Sequence, residues 1–99
     1  MRIISLNDVR NQRETILAIA ERHGAANVRL FGSVARNEAR EESDIDFLVE
    51  MRAHHSPWFP SGLRLDLQEL LGRDVEVVTE RMLDAEIRAD VLREAIPLP

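Results

Sequence analysis

Two aspartates lead into an unbroken apolar run at Asp44-Ile45-Asp46-Phe47-Leu48-Val49, and few architectures accept such a segment. On a strand, side chains two residues apart share a face, so Asp44 and Asp46 project together with Cα atoms roughly 6.5 Å apart. The later residues are apolar on both faces, which predicts a strand covered on both sides in a layered α/β domain. Two uncompensated carboxylates this close repel and raise one another's pKa. A hard divalent ion with oxygen ligands, Mg²⁺ or Mn²⁺, is the simplest neutralising partner. Capping of the preceding connection, or pairing with Arg36 or Arg40, would satisfy the same carboxylates. An Asp-x-Asp alone does not separate these readings.

A second element stands just upstream. Residues 27–31 form a short, partly alternating strand that ends at Gly32, and 33–39 reads as a short helix or turn. Glycine allows close approach of a ligand to the backbone, and N–H groups at a helix start favour phosphate. The Ser33 hydroxyl can donate to a phosphate oxygen. A strand-ending glycine followed by a helix-capping serine is the plainer alternative.

The third element is Glu76. In a predicted strand over 74–79, alternation puts Asp74, Glu76 and Val78 on one face and Val75, Val77 and Thr79 on the other. A charged residue between valines is hard to explain by solvation alone. If this strand lies beside Asp44–Asp46, Glu76 completes a three-carboxylate cluster; otherwise it is an outward-facing residue on an edge strand.

The rest of the chain supplies the frame. Its 99 residues suffice for one compact domain, 1–99. Residues 6–23 read as one helix, capped by Asn7 or Asp8 and stopped by Gly24. Residues 51–60 form an aperiodic loop with His54, His55, Trp58 and Phe59. Ser61 caps a helix over 62–71, with Leu63, Leu67, Leu70 and Leu71 on one side and Gly72 as its stop. A last helix over 80–95 turns Leu83, Ile87, Val91 and Leu92 inward. A fourth strand at 2–5 would complete a small mixed three- to four-stranded sheet packed with about four helices, an α/β (α+β) fold.

Composition removes several chemistries. There is no cysteine and no lysine, so disulfides, thiolate nucleophiles and Schiff-base lysines are excluded. A net charge of −5 argues against a sequence-independent nucleic-acid binder, which needs a basic stripe. The expected location is the cytoplasm, since no stretch reads as a signal peptide or a membrane span. His54 and His55 read as solvated loop residues, His23 as a helix C-terminal residue favoured by the dipole, and Trp58 and Phe59 as cover for the sheet edge. Arg36 either contacts phosphate or pairs with Glu38, Glu41 or Glu42.

Taken together, Gly-Ser, ten residues, Asp-x-Asp and a later acidic strand residue resemble the nucleotidyltransferase superfamily related to DNA polymerase β. More closely, Leu30 to Ala39, Ser43 to Val49, Gly62 to Arg73 and the tail from Ile87 to Leu98 resemble the minimal nucleotidyltransferase (MNT) antitoxins. The resemblance implies that Gly32 and Ser33 hold the β- and γ-phosphates of ATP. It further implies that Asp44, Asp46 and Glu76 ligate one or two Mg²⁺ ions. AMP would pass to a hydroxyl, a tyrosine, on a HEPN-domain ribonuclease toxin in a hetero-oligomer. Two departures stand out: Asn37 replaces the family's usual glycine, and Glu76 its usual aspartate. Asn tolerates a left-handed backbone, and the extra methylene moves the carboxylate by about 1.5 Å. Two alternatives are a catalytically silent, nucleotide-binding antitoxin that acts by contact alone, and a transferase acting on a small molecule.

Overall fold

The computed structural model describes residues 3–98. In chain order its elements are α1 (Leu6–Arg10), α2 (Arg13–His23), β1 (Ala25–Phe31), α3 (Gly32–Ala35) and β2 (Ile45–Met51). There follow α4 (Ser61–Leu71), β3 (Val75–Val78), a 3₁₀ turn (Glu80–Met82), α5 (Ala85–Glu94) and β4 (Ile96–Pro97). The sheet order is β3-β2-β1-β4. β1 runs antiparallel to β2 and β4, while β2 and β3 are parallel.

β2 is the buried strand that its composition predicts, and its two faces meet different clusters. Ile45, Phe47 and Val49 join the larger core with Val9, Ile16, Leu30, Leu63 and Leu67. Leu48 points the other way, into a smaller cluster with Val78, Leu83 and Val91, flanked by Phe31 and Ala95. Each such fully buried aliphatic side chain contributes about 1.5–3 kcal/mol. The 3₁₀ turn and α5 cover the Leu48–Val78 half of this face and leave the half that carries Asp46 open.

Several boundaries differ from the expectations, each for a local reason. The helix over 6–23 is two helices, because Arg10-Asn11-Gln12-Arg13 offers no apolar side chain to the core. Its cap is Ser5, not Asn7 or Asp8: Ser5 and Asp8 exchange side-chain-to-backbone bonds at 3.1 and 2.9 Å, a capping box. That cap also rules out a strand at Ser5. Ile3 to Ser5 is irregular, and Arg2 lies outside the described residues. The fourth strand is instead β4, whose Ile96 and Pro97 pair with Leu30 and Arg29.

Ser61 is the first residue of α4 rather than its cap, which is Pro60 without a side-chain bond. The helix over 80–95 is broken where Leu83 and Asp84 turn extended to drive Leu83 into the smaller cluster. Arg88 donates to the carbonyls of Glu80 and Leu83 across the break, at 3.2 and 2.8 Å. Leu83 and Val91 are buried as expected, whereas Ile87 is 48% exposed and Leu92 37%. Gly24 and Gly72 end α2 and α4 in the left-handed conformation, as expected. No helix among the described residues is long and apolar enough to cross a membrane.

Candidate active site

The parallel register sets Asp46 directly beside Glu76. Opposite residues of a parallel pair share a face and stand about 4.8 Å apart between strands, so the two carboxylates rise from the same open half of the sheet. On the other side Asp46 pairs with Phe31, the last residue of β1, and Gly32 follows at once. Asp44 precedes β2, in the connection rather than on the strand, and is exposed. Its charge is nonetheless felt at Asp46. Burial pushes the Asp46 carboxyl up to about 6; Asp44 and then Glu76 push the same way, Arg36 opposes, and Glu94 adds to the rise.

Gly32 has φ +76, and a Cβ built on it would run into the Asp46 carboxylate. The glycine is therefore needed twice, for a left-handed backbone and for the space its missing side chain leaves. α3 then closes in a Schellman motif. The Glu38 N–H donates to the Ser33 carbonyl at 2.8 Å, and the Asn37 N–H to the Val34 carbonyl at 3.1 Å. Asn37 holds φ 62, so the turn survives without glycine as the sequence suggested. Ser33 is half-buried on the first turn of α3.

Arg36 emerges from this turn, but its main partner is neither Glu41 nor Glu42. Its Nη1 donates to both carboxylate oxygens of Glu94, at 3.2 and 3.1 Å, and its Nε lies 3.5 Å from Glu38. Glu94 also accepts the Gly32 N–H at 2.9 Å. Sequence reasoning missed Glu94. The available signal was its position three residues after buried Val91 on α5, a carboxylate in line with an inward apolar stripe. Arg40 is exposed and makes no side-chain bond to another described residue.

The donor chemistry fits a hard divalent cation. Asp44, Asp46 and Glu76 all offer carboxylate oxygens, and none is bonded to a cationic side chain among the described residues. Burial first, and then the neighbouring charges of Asp44 and Glu76, raise the Asp46 pKa, and a cation bound among these carboxylates would relieve both. No group of three or more acidic or histidine side chains among the described residues forms a ready-made cage. Asp44 and Glu76, both exposed, have the rotamer freedom to close on an ion.

The histidines and aromatics lie elsewhere. His23 Nε2 donates to Asp66 at 2.6 Å and its Nδ1 stands 3.0 Å from the Ser56 hydroxyl. It thus ties α2 and α4 to the loop after β2, a stronger role than dipole stabilisation alone. His54 and His55 are exposed, as expected. Phe59 packs against the core, but Trp58 is 79% exposed and covers nothing.

Residues 13–98 match the family described as the nucleotidyltransferase domain. A Methanocaldococcus jannaschii protein that carries the name protein adenylyltransferase is 34% identical over 93 residues, covering 94% of this chain and 97% of its own. Protein adenylyltransferase MntA of Thermococcus cleftensis is 37% identical over 78 residues, 79% of each chain. A solved structure of a minimal nucleotidyltransferase superposes with a TM-score of 0.82 at 48% identity, covering 95% of this chain and 96% of that one. Two more distant structures share the fold. A toxin–antitoxin with AMP-PNP has a TM-score of 0.73 at 21% identity, over 88% of this chain and 72% of that one. The toxin–antitoxin MntA–HepT has a TM-score of 0.65 at 20% identity, over 90% of this chain and 70% of that one.

Proposed function

The chain belongs to the nucleotidyltransferase-domain family, among its minimal members, and on that premise we propose that it is a protein adenylyltransferase antitoxin. It transfers AMP from ATP to a hydroxyl, a tyrosine, of a HEPN-type ribonuclease toxin. The observation that carries this reading is the Asp46–Glu76 register beside the Gly32 turn. The names of the relatives supply the adenylyl group and the protein acceptor. Fold neighbours crystallised as toxin–antitoxin complexes, one with an ATP analogue, favour the partner and the nucleotide.

The mechanism follows from where the residues stand. Gly32, Ser33 and Arg36 hold the β- and γ-phosphates and so fix the α-phosphorus over the open half of the sheet. Asp44, Asp46 and Glu76 would hold Mg²⁺ or Mn²⁺. A bound ion would supply Lewis-acid polarisation of the acceptor oxygen and neutralise charge on the leaving pyrophosphate. The acceptor oxygen forms its bond to the α-phosphorus in line with the bond that breaks to the β-phosphate bridge. Its proton passes to the Glu76 carboxylate, and pyrophosphate departs. Positioning and electrostatics supply most of the acceleration. With the sheet face this open, the partner must bring the acceptor and exclude water.

Incubation of the chain with its co-purified partner, ATP and Mg²⁺, read by intact mass, tests this reading. An AMP-sized gain on the partner that disappears in Asp44→Asn and Asp46→Asn is the expected result. Neutralisation of the partner that persists in both variants, without any mass gain, refutes catalysis and leaves an antitoxin acting by contact.

A further inference from the structure

Glu94 holds donors that a triphosphate would need. Its Oε1 accepts the Gly32 N–H at 2.9 Å and Arg36 Nη1 at 3.2 Å; Oε2 accepts the same Nη1 at 3.1 Å. A backbone N–H and a guanidinium converging on one anionic group is the arrangement that recognises a phosphate oxygen as well as a carboxylate. We infer that Glu94 is a built-in competitor for the nucleotide: its carboxylate occupies the place of a phosphate oxygen and must leave before ATP seats.

The inference rests on the reading of Gly32 and Arg36 as phosphate ligands, and three observations carry it further. First, one N–H serves one strong acceptor at a time, so the Gly32–Glu94 bond and a Gly32–phosphate bond exclude each other. Second, the Glu94 charge is felt at Asp46, which already carries the repulsion of Asp44 and Glu76. A seated triphosphate would add further negative charge beside it. Third, Glu94 is the last residue of α5, with a side chain 28% exposed. It can therefore swing to solvent without unpacking Val91, which anchors the helix in the smaller cluster. ATP binding is consequently coupled to the C-terminal turn of α5 and to β4 immediately after it.

A purely structural Glu94 predicts the opposite sign. If the carboxylate only holds the Gly32 turn and Arg36 in shape for the nucleotide, its loss weakens binding. Titration calorimetry of the full chain with AMP-PNP and Mg²⁺ separates the two. Glu94→Gln is expected to bind AMP-PNP about tenfold tighter, the worth of one charge-assisted bond no longer broken. In an Arg36→Ala background the same substitution should gain less than about threefold, since the shared partner is gone. Glu94→Gln keeps size and an acceptor oxygen for the Gly32 N–H, which Glu94→Ala would leave unpaired, and thermal melting confirms that it folds. AMP-PNP binding by wild type with no gain, or a loss, in Glu94→Gln overturns the competitor role alone. Absence of AMP-PNP binding by wild type and every folded variant overturns both this inference and the nucleotide reading beneath it.

Discussion

Gly32 and Asp46 share one volume: the Asp46 carboxylate lies where any side chain at position 32 would begin. Since β1 pairs Phe31 with Asp46, the turn that follows β1 and the aspartate on β2 cannot move apart without breaking the central ladder. The Gly32 turn and the Asp46 carboxylate are thus placed by one register, not by two independent loops.

Gly32→Ala is expected to lose activity and stability together. The positive φ costs about 1–2 kcal/mol in an L-residue, and displacement of the Asp46 carboxylate adds to it. Urea denaturation should show the loss, and intact mass of the partner should show no AMP-sized gain. A variant with wild-type midpoint and wild-type transfer would contradict the shared volume.

Asp46 gives a pH dependence whose sign is fixed. Its folded-state value of about 6 stands above the ordinary 3.8, so the folded protein binds this proton more tightly than the unfolded chain. The resulting stability is complete below about pH 4 and is lost as pH rises through about 6. In metal-free buffer, Asp46→Asn should therefore out-melt wild type at pH 7.5, by about 1–2 kcal/mol after allowance for solvent screening. The advantage should vanish near pH 4. Parallel thermal melts across this range measure it, and an Asp46→Asn protein less stable than wild type at pH 7.5 would contradict it.

Divalent metal should reverse that order. Millimolar Mg²⁺ at pH 7.5 is expected to raise the melting temperature of wild type, because an ion that binds only the folded state stabilises it by mass action. Asp46→Asn and Asp44→Asn should respond little, and EDTA should return wild type to its starting value. Equal responses in all three proteins would place the ion elsewhere.

Glu76 is exposed on β3, so its removal should separate chemistry from folding. Glu76→Ala is expected to slow AMP transfer about 100-fold or more, the usual worth of a lost proton acceptor, with stability changed by less than about 0.5 kcal/mol. Glu76→Asp should retain most of the rate. Initial rates from the intact-mass series, set beside melting curves, check both halves.

What the sequence disclosed follows from how local each signal is. Asp46, Glu76 and Gly32 were legible because strand alternation and glycine chemistry act over two or three residues; the parallel β2–β3 pairing then sets Glu76 beside Asp46, and the antiparallel β1–β2 pairing brings Gly32 to it. The two-sided burial of β2 was legible from Phe47-Leu48-Val49 in the same way. Glu94 was not, because its partners are Gly32 and Arg36, 62 and 58 positions away. The breaks at Asn11–Gln12 and at Leu83–Asp84 escaped because each is set by what the core accepts. Periodicity read across them. β4 escaped because a strand ending in proline contradicts the usual preference, which an edge position relaxes.

That proline has a consequence for assembly. The Leu98 N–H donates inward to the Val28 carbonyl at 3.0 Å, and backbone groups alternate along an antiparallel strand, so position 97 faces outward. Proline offers no hydrogen there, and the margin formed by β4 is a poor template for another chain. Any complex that grows by adding a strand is steered to the opposite margin, β3, where Glu76 stands. A partner docking there would arrive beside Glu76 and Asp46, and the chain's two borders thereby differ in what they permit.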